Sequence, residues 1–95
     1  MKHGRKATAN HLVIYLNSGS DLAHPRFGFV VAKTVGSAVQ RNLVKRRARA
    51  AIRERLESFT PGQDLVIRAL PGLAELNWLD FCSELDSSLS KIQSK

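Results

Sequence analysis

Apolar positions along the chain change period several times, and each change marks a boundary between elements. His11–Asn17 reads HLVIYLN. Alternation places Leu12, Ile14 and Leu16 on one face and Val13 and Tyr15 on the other, as in a strand. Ser18–Pro25, with Gly19, Asp21 and Pro25, predicts a turn. Arg26–Lys33 (RFGFVVAK) predicts a second strand with Phe27, Phe29 and Val31 on one face. Gly28 leaves a gap on the other face, where a backbone or ligand can come close. Thr34–Ser37 is a short connection containing Gly36. From Ala38 to Ser58 there is no Gly or Pro and helix formers dominate, so a long helix is predicted, ended by Phe59-Thr60-Pro61-Gly62. Asp64–Leu70 (DLVIRAL) predicts a third strand, and Pro71-Gly72 breaks the chain. Over Leu73–Ile92, Leu76, Leu79, Cys82, Leu85, Leu89 and Ile92 recur at spacings of three and four and predict a final amphipathic helix. The order strand, strand, helix, strand, helix predicts one α+β domain over residues 1–95, with helices packed on a small sheet.

Charge changes the picture of the first helix. Fifteen Lys and Arg face eight Asp and Glu, a formal net charge of +7. On a wheel turning about 100° per residue, Val44, Ala48, Ala51, Ile52, Leu56 and Phe59 share the sector facing the core. Asn42, Arg46, Arg49 and Arg53 share another, and Arg41 and Lys45 flank that stripe near the helix start. Like charges one turn apart repel by a few tenths of a kcal/mol per pair. Cations near a helix N-terminus oppose the macrodipole by roughly 0.3–1 kcal/mol each. A polyphosphate removes both penalties. Arg grips phosphate with paired hydrogen bonds, and Asn42 can donate to a phosphate or read a base edge.

Other classes fit less of the chain. No apolar run approaches the ~18 residues of a membrane span, and Met1–Asn10 has no signal-peptide core, so a cytoplasmic protein is expected. The apolar side of the basic helix is needed for the core, which argues against a membrane-surface helix. Nuclear import explains the basic run and nothing around it. No helix-turn-helix pair supports DNA binding. His3, His11 and His24 form no HxxxH pattern, and the single Cys82 offers no disulfide and no paired metal ligand; it reads as a buried structural thiol. Asp21, Asp64 and Asp80 are isolated and suit turns and caps. No catalytic constellation and no bound metal or cofactor is expected.

The segment Arg41-Asn42-Leu43-Val44-Lys45-Arg46-Arg47-Ala48-Arg49 fits the RN-x-x-KR-x-x-R signature of the bacterial ribonuclease P protein, and the chain resembles that family. Upstream, Phe27–Lys33 followed by Val35-Gly36-Ser37-Ala38-Val39 resembles the family's strand, turn and helix entry. Downstream, Asp64–Gly72 resembles its next strand and break. Thr34 departs from the pattern, which often has a second Lys there. The likeness extends from about His3 to Ile92.

The resemblance implies a fold like that of a ribosomal protein domain, with a left-handed crossover through the basic helix between two parallel strands. Ordinary handedness rules predict the opposite hand. It also implies a non-catalytic protein subunit of a ribonucleoprotein endoribonuclease, whose RNA, with Mg2+, removes the 5′ leader from precursor tRNA. Arg41, Asn42, Lys45, Arg46 and Arg49, with Lys33 and Arg53 beside them, are then expected to meet the ribonuclease P RNA. Tyr15 and Val13 are expected to line a cleft for the single-stranded leader. The family's usual N-terminal helix is expected to be mostly missing, since Met1-Lys2-His3-Gly4 resembles only its end, with lower stability or self-association as a consequence. The alternative is a ribosomal-type structural RNA-binding protein with no part in cleavage.

Overall fold

A computed structural model describes residues 4–17, 25–59 and 62–93. Strands β1 (Arg5–Thr8), β2 (Leu12–Asn17), β3 (Arg26–Val30) and β4 (Asp64–Ala69) form one sheet in the order β1-β2-β4-β3. Helix α1 (Ala38–Glu54) joins β3 to β4, and α2 (Trp78–Gln93) follows β4. β1 and β4 both run antiparallel to β2, while β3 and β4 are parallel neighbours. Most of the turn expected over Ser18–Pro25, and with it Gly19 and Asp21, lies outside the described residues, as do His3, His24, Thr60 and Pro61.

The alternation read from the sequence sets the two faces of the sheet. Leu12, Ile14 and Leu16 join Leu65, Ile67 and Ala69 in the main core, with Phe27, Phe29 and Val31 packed against it. Val44, Ala48, Ala51 and Ile52 of α1 and Phe81, Leu85, Leu89 and Ile92 of α2 complete the same cluster. Both helices therefore cover one face. The opposite face carries the row Lys6, Tyr15, Val66 and Gly28, which are register partners across all four strands.

Several expectations need correction. β1 was not expected: RKAT has one buried side chain, Ala7, and exists as a strand through its pairing with β2. α1 stops at Glu54, and a 3-10 turn over Leu56–Ser58 tightens the chain. That turn brings Phe59 inward and leaves Leu56 48% exposed, although the wheel put both in the core. The last helix starts at Trp78 rather than Leu73; Leu73–Glu75 is a separate 3-10 turn. Leu79 is 77% exposed. Successive steps of three drift about 60° each on a helix, so Leu79 lands roughly 120° from Leu85. The inward face is instead Trp78 stacked on Phe81 (centroids 6.0 Å apart), then Leu85, Ser88, Leu89 and Ile92. Cys82 is half-buried against the core rather than fully enclosed.

The entry to α1 is defined by local chemistry. Ser37 Oγ accepts from the Gln40 backbone N–H, and Gln40 Oε1 accepts from the Ser37 N–H at 2.9 Å, a reciprocal capping box. Gly36, at φ 154°, precedes it. A Cβ there would sit 2.1 Å from Gln40 Oε1, so a side chain at 36 would displace the cap. Asn77 caps α2 by accepting from the Asp80 N–H at 2.8 Å.

Candidate nucleic-acid interface

Most of the stripe read from the helix wheel comes together on one surface. Asn42, Lys45, Arg46 and Arg49 line one cleft of about 500 Å³ on the outer side of α1, with Val39 at its head. Val39 is 76% exposed, an apolar side chain set among cations. α1 has no acidic residue in its first turn, and the Ser37–Gln40 cap is neutral. The helix N-terminus therefore adds its own partial positive charge to that of the side chains. Among the described residues none of Arg46, Arg49 or Arg53 takes part in an ion pair. These guanidiniums are open to an external anion.

The remaining candidates are placed around this cleft. Arg53 lies one turn beyond Arg49, and the two share a second, smaller cleft with Phe27, Phe29, Ile52 and Leu56. Lys33 is exposed in the 3-10 turn before α1 and does not line the Asn42–Arg49 cleft. Arg41 is half-buried, and its Nε is enclosed without a hydrogen-bond partner among the described residues.

Two neighbouring arginines do structural work. Arg47 donates to the Leu76 carbonyl, tying α1 to the chain before α2. Arg55 grips Asp86 of α2 through both carboxylate oxygens, with Nη2 to Oδ2 at 3.0 Å, and donates to the Ala51 carbonyl at 2.8 Å. The hydrogen bond from Arg55 holds the Asp86 carboxyl below the usual carboxylate range, and Asp86 in turn raises the Arg55 guanidinium. The helix wheel sets both apart from the stripe, but their partners, 29 and 31 residues away, are not legible from local spacing.

The sheet face opposite the helices holds a cleft of about 390 Å³ reached by Tyr15, Gly28 and Val66, with Asn17, Arg26 and Asp64 at one end. A Cβ on Gly28 would meet Val66 at 3.7 Å, an ordinary contact, so the glycine leaves room beside Tyr15. Lys6 Nζ stands 5.8 Å from the centre of the Tyr15 ring. The sequence reading missed Lys6, because its place follows from the pairing of β1. Arg26 is held by Asp64 through two hydrogen bonds of 2.9 Å, which lower the Asp64 carboxyl's pKa. Of the two cleft residues expected on β2, Tyr15 lines the cleft and Val13 does not: it is 7% exposed, paired between Thr8 and Arg68. Among the described residues no group of three His, Cys, Asp or Glu could hold a metal ion, and no helix is long and apolar enough to cross a membrane. His11 is engaged by Glu84, Nδ1 to Oε1 at 3.0 Å.

Comparison with known proteins places this geometry. The family model described as Ribonuclease P matches residues 1–93. The ribonuclease P protein component of Streptomyces griseus is 40% identical over 100 residues, covering 97% of this chain and 81% of the relative. That of Clavibacter michiganensis is 40% identical over 91 residues, covering 96% and 80%. Among solved structures, a Staphylococcus aureus RNase P protein superposes with a TM-score of 0.87 at 24% identity, over 97% of this chain and 77% of that one. The RNase P protein of Thermotoga maritima superposes with a TM-score of 0.81 at 25% identity, over 96% and 88%. The α+β fold, the basic helix and the sequence matches agree: the chain belongs to the ribonuclease P protein component family.

Proposed function

We propose that the chain, as the protein subunit of ribonuclease P, meets RNA on two surfaces. The cationic cleft of α1 meets the ribonuclease P RNA, and the sheet face around Tyr15, opposite the helices, takes the single-stranded 5′ leader of precursor tRNA. The observation that carries this reading is the cleft of Asn42, Lys45, Arg46 and Arg49, continued by Arg53 on a helix whose first turn lacks an acid. An arginine-lined helix face attracts phosphate, and each phosphate neutralised releases counterions. On the sheet face, Tyr15 offers a ring for a base and Lys6 a cation for its phosphate.

In this reading the protein lowers phosphate repulsion and holds the substrate, and the bond-breaking step belongs to the RNA. Magnesium ions are expected on RNA phosphates. Among the described residues no group of three His, Cys, Asp or Glu could hold one.

The test is precursor-tRNA cleavage by the matching ribonuclease P RNA at low magnesium, with and without the chain. Stimulation by the chain is expected, reduced at least tenfold for Arg46→Ala/Arg49→Ala. The salt slope of RNA binding should fall by roughly 1.4–1.8 for the two lost phosphate contacts. Equal stimulation by the double variant would remove the α1 cleft from the interface.

A further inference from the structure

The cationic stripe does not end in water. Past Arg49 it runs into a second cleft of about 230 Å³, walled by Phe27, Phe29, Ile52 and Leu56 and rimmed by Arg49 and Arg53. Arg49 belongs to both clefts. The 3-10 turn after α1 leaves Leu56 half-exposed at this wall, an apolar side chain the core does not use. Phe27 is held in place by an edge-on contact with Phe59, ring centres 5.2 Å apart.

We propose that this cleft receives a single unstacked base of the RNA whose phosphates lie along α1. The inference rests on the RNA-binding reading of the stripe and adds a base-binding subsite to it. Size and charge choose the occupant. The volume is below the ~300–1,000 Å³ of sites for drug-sized ligands, so one planar ring fits and a folded element does not. The walls are apolar and the rim carries two cations without ion pairs among the described residues. A nucleotide satisfies both, its base against Phe29, Ile52 and Leu56 and its phosphate on Arg49 or Arg53. An apolar peptide side chain would fill the walls and leave the cations unmatched. The site also lies in line with the phosphate path, so a strand following the stripe reaches it without a turn. Base contacts of this kind tolerate any base with an open π face.

The experiment is binding of the full chain to the folded ribonuclease P RNA, with base-specific chemical probing of unpaired nucleotides. Wild type, Leu56→Ser and Arg46→Ala are compared, and thermal melts establish that each variant is folded. Leu56→Ser is expected to weaken binding about five- to tenfold and to restore reactivity at one base that wild type protects. Making that nucleotide abasic should weaken wild-type binding by a similar factor and leave Leu56→Ser unchanged. Arg53→Ala serves as the second probe of the rim, with the same base affected. If Leu56→Ser and Arg53→Ala both bind and protect like wild type while Arg46→Ala binds weakly, the base site is wrong and the stripe stands. If Arg46→Ala also binds like wild type, the stripe reading itself falls. If wild type self-associates through this face and Leu56→Ser does not, with RNA probing unchanged, the cleft belongs to a second copy and the proposal is overturned.

Discussion

The two helices cover the same face of the same sheet, yet their charges obey different rules. α2 follows the macrodipole: Asp80 lies in its first turn and Lys91 in its last, and Arg5 donates to the Ile92 carbonyl at its C-terminal end. α1 has no acid in its first turn, and Arg41, Lys45 and Arg46 stand in its N-terminal half. Where packing is the demand, side chains are arranged to favour the helix. Where they are arranged against it, packing of the apolar face must offset the cost unless a ligand does. The contrast therefore separates residues that hold the fold from those proposed to meet RNA.

The widest separation should come from the core of α2. Leu85 is fully buried, at 0% exposure, in the cluster shared by both helices. Leu85→Ala should lower the unfolding free energy by about 2–5 kcal/mol, a large part of the roughly 5–15 kcal/mol of a small domain. Urea unfolding measures this. RNA affinity, read where the variant is still folded, should stay at the wild-type value. Arg46→Ala should do the reverse, changing stability by no more than ~0.5 kcal/mol while weakening RNA binding. A large stability loss in Arg46→Ala would break the division, because the stripe would then be part of the fold.

How much of this could be read before folding follows from range. The α1 stripe is local: helical periodicity alone groups Asn42, Arg46, Arg49 and Arg53, and the clefts bear that grouping out. The two-faced sheet also follows from alternation, and the parallel β3–β4 pair around α1 agrees with what the family resemblance implies. What was hidden depends on partners distant in sequence. β1 has almost no signal of its own and is created by its register with β2. Lys6 reaches Tyr15 through that register. Val13, correctly placed on the outer face, is nevertheless shielded there. Arg47 and Arg55 lie off the stripe on the wheel, and what they hold shows only when α2 and its approach are in place.

A smaller effect tests the macrodipole argument directly. Gln40 closes the capping box at the third position of α1. Gln40→Glu keeps the box and adds the negative charge that the first turn of α1 lacks. Stability should rise by about 0.3–1 kcal/mol, seen as a higher urea midpoint with an unchanged slope. RNA affinity should fall, with the larger loss at low salt, because the new charge faces the incoming phosphates. A gain in stability with no loss of affinity would mean that the RNA does not approach the start of α1, and would move the contact toward Arg49 and Arg53.

The smallest effect concerns the Arg55–Asp86 clamp, which joins the end of α1 to the outer side of α2. The Asp86 carboxyl lies below its ordinary range in the folded protein, because Arg55 hydrogen-bonds to it. In the unfolded chain it returns to about 3.9. The unfolded state therefore binds the proton more readily. The clamp's contribution is complete above about pH 4 and is lost as pH falls through the lower, folded value. Between pH 5 and 8 the clamp adds no slope. Below pH 4 the melting temperature of wild type should drop faster than that of Asp86→Asn, whose side chain does not titrate. Asp64, lowered by Arg26, contributes in the same direction and is present in both proteins, so the difference between the two curves isolates Asp86. Asp86 is largely solvent-exposed, which keeps the effect small. Cleavage activity at neutral pH should be the same in both. Parallel acid melting curves would mean that the clamp is equally weak in folded and unfolded chains, and that α1 is held to α2 by packing and Arg47 alone.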